Sequence, residues 1–157
     1  MREEILKKFF LGEVSATELA ADLSGSTKRL TKIVSNISIE DMEGQFVVTR
    51  PMLVLLCDAV LSGSLRAEEL RTIGFALEAS DHFEWDGDTD EITANVIADW
   101  ACPEVNYPLT QENIRRFRTW LTNVEPYPSR PNQVVNYGGG VISVTQKKSI
   151  DRHQRRK

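Results

Sequence analysis

The chain is expected to be mostly α, a compact helical bundle of about six helices with room for a small β-hairpin and a flexible C-terminal tail. Three observations carry this expectation. Apolar residues recur at three- and four-residue spacing in one segment after another. Ser, Thr or Asp stands where those segments begin, and glycine where several of them end. At 157 residues, 41% apolar and 27% charged, the chain has the size and composition of one globular domain able to bury a core.

A first helix over 2–11 places Ile5, Leu6, Phe9 and Phe10 on one side, and Gly12 is expected to end it in the left-handed region. Ser15-Ala16-Thr17-Glu18 is a capping box opening a second helix, with Leu19 and Leu23 inward and a stop at Ser24-Gly25. A short third helix is expected after Ser26 or Thr27, with Leu30, Ile33 and Val34 as its apolar side. Ile37-Ser38-Ile39 and Phe46-Val47-Val48 flank Asp41-Met42-Glu43-Gly44, which reads as a small hairpin or a loop. Thr49 is then expected to cap a helix that tolerates Pro51 in its first turn. That helix is apolar nearly all round and is expected to be the most buried, ending at Gly63.

The next helix carries Leu70, Ile73, Gly74 and Leu77 on one face. An acidic loop over 81–90 follows, with Asp90 capping a helix that turns Ile92, Val96, Ile97 and Trp100 inward. Thr110 opens the last helix, with Ile114, Phe117, Trp120 and Leu121 inward and Arg115, Arg116 and Arg118 partly outward. The run from Gly12 to Leu19 is echoed from Gly63 to Leu70, where glycine, alanine, glutamate and leucine coincide. Shared hairpin chemistry is the simplest account of that echo. Val134–Tyr137 and Val141–Val144 surround three glycines and either pair as a hairpin or stay flexible, and residues 147–157 are expected to be disordered.

Charge is unevenly spread. Residues 127–157 hold seven basic side chains and one acid, a balance of +6, so the net −4 of the chain leaves −10 on residues 1–126. The chain therefore divides into an acidic helical domain, 1–126, and a basic, largely flexible tail, 127–157. From Thr72 to Ile114 there is no lysine or arginine, and there are ten carboxylates with aromatic residues among them. Such a segment fits a basic protein partner better than nucleic acid. Its centre is Asp81–Glu91 around Trp85, and the expected partner-binding residues are Glu84, Trp85, Asp86, Asp88, Asp90, Glu91, Asp99 and Glu104. Trp100 and Trp120 sit on apolar helical faces and belong to the core. Trp85, between Glu84 and Asp86, is either a lid on the core or an interface anchor.

Chemistry is harder to place. Counting an EF-hand loop from Asp86 puts Glu91 where glycine is needed and Ile97 where glutamate is needed, so the pattern fails. Cys57, Cys102, His82 and His153 lack metal-ligand spacing, and no nucleophile motif stands out. Cys57 reads as a small core residue and Cys102 as a loop thiol. Two free thiols and no export signal suggest the cytoplasm, and the apolar run at Met52–Leu56 is far too short to span a bilayer. No cofactor, metal site or catalytic residue is expected.

Two resemblances bear on function. Residues 15–34 resemble a DNA-binding helix-turn-helix with Lys28, Arg29 and Lys32 on its second helix, although Ser24-Gly25 departs from the usual turn and the body is acidic. Phe9-Phe10-Leu11-Gly12-Glu13-Val14-Ser15-Ala16-Thr17-Glu18-Leu19 resembles the opening of the small helical immunity proteins of the colicin D type. Asp86-Gly87-Asp88-Thr89-Asp90, followed by Ile92, Val96 and Trp100, is similar to the acidic segment of nuclease-colicin immunity proteins. This second resemblance implies a cytoplasmic, cofactor-free protein that neutralises a toxin by covering its basic substrate surface. The expected function is therefore non-enzymatic inhibition of a basic, nuclease-like toxin, with a helix-turn-helix regulator as the alternative.

Overall fold

The computed structural model describes residues 1–24, 26–29, 35–85, 90–128, 134–137 and 140–143. The chain divides into two compact units, Met1–Glu125 and Pro126–Lys157. The first is mostly helical. Its helices are α1 (Glu3–Phe10), α2 (Ala16–Leu23), α3 (Arg50–Leu61), α4 (Glu69–Ala79), α5 (Glu91–Ala101) and α6 (Gln111–Leu121). Its strands are short: β1 (Thr27–Arg29), β2 (Ser35–Ile37), β3 (Phe46–Val47) and β4 (Phe83–Glu84). The second unit contains β5 (Val134–Tyr137) and β6 (Gly140–Ser143), an antiparallel pair that aligns Val134 with Ser143 and Tyr137 with Gly140. The tail beyond Ser143 lies outside the described residues.

Local signals set the helix ends. Ser15 and Glu18 form the full capping box: Glu18 accepts from the Ser15 amide at 2.8 Å, and Ser15 Oγ accepts from the Glu18 amide at 3.2 Å. Thr110 and Asp90 accept from the amides three residues on, as N-caps should. Thr49 occupies the N-cap of α3, but its side chain makes no capping bond.

The echo between Gly12–Leu19 and Gly63–Leu70 is also geometric. Gly12 (φ 75°) and Gly63 (φ 81°) both turn the chain in the left-handed region. The Arg66 amide donates to Glu69 at 2.8 Å as the Ser15 amide does to Glu18, and Leu19 and Leu70 are both fully buried.

The core forms where α4 packs along α5 and α3 along α6. α4 is more buried than α3, with seven of eleven residues inside against five of twelve, and Leu55 of α3 is 45% exposed. The expectation that α3 is the most buried helix is thus corrected. Its apolar outer face is not fully covered, whereas α4 lies tight against α5. Gly74 makes that approach possible, since a Cβ there would stand 2.7 Å from both Trp100 Cβ and the Ala101 nitrogen. Trp100 meets Phe117 of α6 edge-on at 6.1 Å, and Phe117 in turn packs on Tyr107 and Trp120. Trp100 and Trp120 are core residues.

The expected third helix is not formed. Thr27–Arg29 is a strand paired antiparallel with Ser35–Ile37, not the start of a helix, while Leu30, Lys32, Ile33 and Val34 lie outside the described residues. Lys28 and Arg29 therefore do not sit on a recognition helix.

Of the two readings of 37–48, a small hairpin or a loop, the loop is the one formed, since Ile37 and Ser38 bond to Thr27 and Ser26. Glu40 bonds to Met1 and Glu3 through the main chain, and the Met42 amide donates to buried Glu3 at 3.0 Å. Phe46–Val47 pairs in parallel with Phe83–Glu84 instead.

Gly74→Ala is expected to destabilise the fold by about 2 kcal/mol, because the crowding atoms are main chain and Cβ and cannot swing aside. Chemical denaturation measures it. A gain in stability, as helix propensity alone would give, contradicts the close approach.

Candidate acidic interface

The acidic segment is rearranged by the fold. Of its ten carboxylates one is buried and three are paired with arginine. Asp99 is fully buried in α5, which corrects its assignment as a partner-binding residue: position on the inward side of the helix decides its exposure, not its charge. Asp90 pairs with Arg50 at 2.7 Å, Glu104 with Arg71 at 2.6 Å and Glu112 with Arg116 at 2.5 Å. All three arginines lie outside the basic-free stretch, so the sequence count overstates its field. Asp90 is a half-buried structural partner of Arg50, while Glu104 stays exposed with its charge partly offset by Arg71.

Arg50 does more than neutralise. It stands at the start of α3, donates through Nε to Asp90 at the N-cap of α5, and donates through Nη1 to Asn123 just past α6 at 2.5 Å. Three helix ends meet at one guanidinium. Asp90 also accepts from the Thr93 amide and hydroxyl. Burial alone pushes the Asp90 carboxyl up, but the hydrogen bonds from Arg50 and Thr93 outweigh it and hold the group below its ordinary range.

Glu84 in β4 and Glu91 in the first turn of α5 are exposed, and Trp85 is half-buried. Trp85 is thus intermediate between the lid and the anchor that its sequence context allows. Asp86 and Asp88 lie outside the described residues.

Residues that the linear reading left out complete the face. The Phe46 amide donates to His82 O at 2.8 Å and the Val48 amide to Glu84 O at 2.7 Å. His82 Nδ1 lies 2.8 Å from Gly44 O, and because a carbonyl only accepts, the ring nitrogen is the donor. These bonds hold the loop bearing Asp41 and Glu43 against the segment bearing Asp81 and Glu84. All four carboxylates are exposed, and none has an ion-pair partner among the described residues. Val47, 57% exposed, lies in register with Glu84. The pairing of 46–48 with 82–84 is long-range, and the only sequence signal for it was the apolar run Phe46-Val47-Val48.

No three His, Cys, Asp or Glu side chains gather among the described residues in a way that could hold a metal ion. Cys57 is buried, and burial followed by the charge of Asp58 pushes its thiol up to about 12, which leaves it an inert core residue. Cys102 is exposed, and partial burial together with Glu78 and Glu104 raises its thiol also. No helix among the described residues is long and apolar enough to cross a membrane.

The depressed Asp90 carboxyl gives a signed pH dependence. Its contribution is complete above the unfolded value of about 4 and is lost as pH falls through the lower folded value. Asp90→Asn keeps a capping oxygen but no charge, so it is expected to cost about 1–2 kcal/mol at neutral pH. It should also flatten the acid loss of stability below about pH 4. Equal acid slopes for variant and parent, followed by circular dichroism, contradict the role given to Arg50.

Comparison of the chain with family models, curated proteins and solved structures finds no match.

Proposed function

We propose that the chain is a non-enzymatic, cytoplasmic inhibitor of the immunity type, which binds a basic, nuclease-like toxin through the acidic face around Glu84 and Trp85. The observation that carries it is the joining of two acidic segments, Asp41–Glu43 and Asp81–Glu84, beside exposed Val47 and half-buried Trp85. A nuclease surface must be basic to hold phosphates. An acidic face steers towards such a surface and sets register on it, while the apolar groups at its centre supply contact that holds once water is excluded. Glu91 is exposed too, and Asp86 and Asp88 stand between Trp85 and Glu91 in the chain. The resemblance of Phe9–Leu19 to colicin D-type immunity proteins agrees with this reading. The helix-turn-helix alternative has no such support, since Lys28 and Arg29 belong to β1.

The product of the neighbouring reading frame is the probe. Its basic domain is expected to associate at a rate that falls steeply as salt rises. Glu43→Lys, Asp81→Lys and Glu84→Lys together should weaken binding by about a hundredfold or more. All three sites are exposed, so the thermal midpoint should hold. A neighbouring product with no basic domain, or a triple variant that binds as the parent does, contradicts the proposal.

A further inference from the structure

β3 pairs with β4 alone in a two-stranded sheet, so among the described residues its other side is an open edge. Its Phe46 and Val48 amides point at β4 and are bonded there. Along a strand alternate residues direct their main-chain groups to opposite sides, so Gln45, Val47 and Thr49 face away. Among the described residues none of these three amides donates to a main-chain carbonyl, and all three residues are exposed.

Edge strands are normally blunted by lysine, proline or a bulge. Gln45-Phe46-Val47-Val48-Thr49 has no lysine and no proline, and it is rich in residues that favour extended chain. The strand is also held in place before any partner arrives. The Phe46 ring stacks on Phe10 at 6.2 Å and meets Phe83 edge-on at 6.4 Å, while Val48 is 2% exposed. Little ordering is left to oppose binding.

Charge names the occupant. Glu84 stands in register with Val47, and Asp41, Glu43 and Asp81 lie on the adjoining segments. A second copy pairing its own β3 edge to edge would set those carboxylates against their own kind. An extended segment carrying Lys or Arg would instead meet opposite charge, from Glu84 across β3 and from the exposed acids of the adjoining segments.

We propose that the outer edge of β3 receives an extended, Lys/Arg-bearing segment of the basic partner as a third strand, bonded through the main chain of Gln45 and Val47 and the amide of Thr49, whose carbonyl is taken by the first turn of α3. This rests on the acidic-face reading and adds a binding mode to it: main-chain bonds give affinity, and alternate side chains give selectivity.

The test uses the full chain, isotope-labelled for amide spectra, and two acetylated hexapeptides. One is Lys-Val-Lys-Val-Lys-Val, and the other has the same sequence with alternate nitrogens methylated so that charge stays and donors are lost. The unmodified peptide is expected to move the amide signals of Gln45, Val47 and Thr49 and to bind about fivefold to tenfold more tightly than the methylated one. Glu84→Lys should weaken both peptides. Val47→Pro, which removes an outward amide that the fold does not use, should bring the unmodified peptide down to the methylated level.

Equal binding of the two peptides, or shifts confined to 81–85, overturns the edge and leaves a basic partner standing. No binding of either peptide at millimolar concentration overturns both. Self-association of the chain that moves the same three amides assigns the edge to a second copy and overturns the proposal.

Discussion

Phe46 decides where the acidic loops end up. Its ring lies between Phe10 of α1 and Phe83 of β4, and that apolar contact draws β3 into parallel pairing with a strand 37 positions further on. Parallel strands need a long crossover, and α3 and α4 supply it. Without this contact the nearest partner for 46–48 is the arm at 37–39, and the two acidic segments would have no reason to meet. With it, Gly44 comes under His82 and the carboxylates on either side share one surface.

The helical body supplies a platform by different means. Gly74 lets α4 press against α5, and Trp100 carries that contact on to Phe117 and α6. Arg50 then gathers the ends of α3, α5 and α6 at one side chain. The cost of holding Asp90 half-buried is offset by three hydrogen-bonding groups, its two ring-fenced oxygens accepting from Arg50 and Thr93. More exposed pairs such as Arg71–Glu104 contribute little stability, but they subtract from the field that a partner would feel. The effective acidic face is consequently smaller than the sequence count, and it is centred nearer to β3.

Features governed by neighbours in the chain were legible in the sequence. The Ser15–Glu18 box, the caps at Asp90 and Thr110, the turns at Gly12 and Gly63, and the core positions of Trp100 and Trp120 all depend on residues within a turn or on helical spacing. Features governed by distant residues were not. Asp99 was counted as surface because it is charged, although the helical phase of Val96 and Trp100 surrounds it with inward positions. Arg50 and Asp90 are 40 positions apart, so no local pattern joins them. The strand at 27–29 and the pairing of 46–47 with 83–84 are cases where strand pairing overrode or went beyond local preference.

Amide hydrogen exchange across 45–49 tests the central claim most directly, because the same five residues carry both the joining of the acidic segments and the open edge. The bonds to His82 and Glu84 predict slow exchange at Phe46 and Val48, with fast exchange at Gln45 and Val47 between and beside them. Uniformly fast exchange over the five residues would mean that β3 is not held against β4, and the acidic face would then have no structural basis.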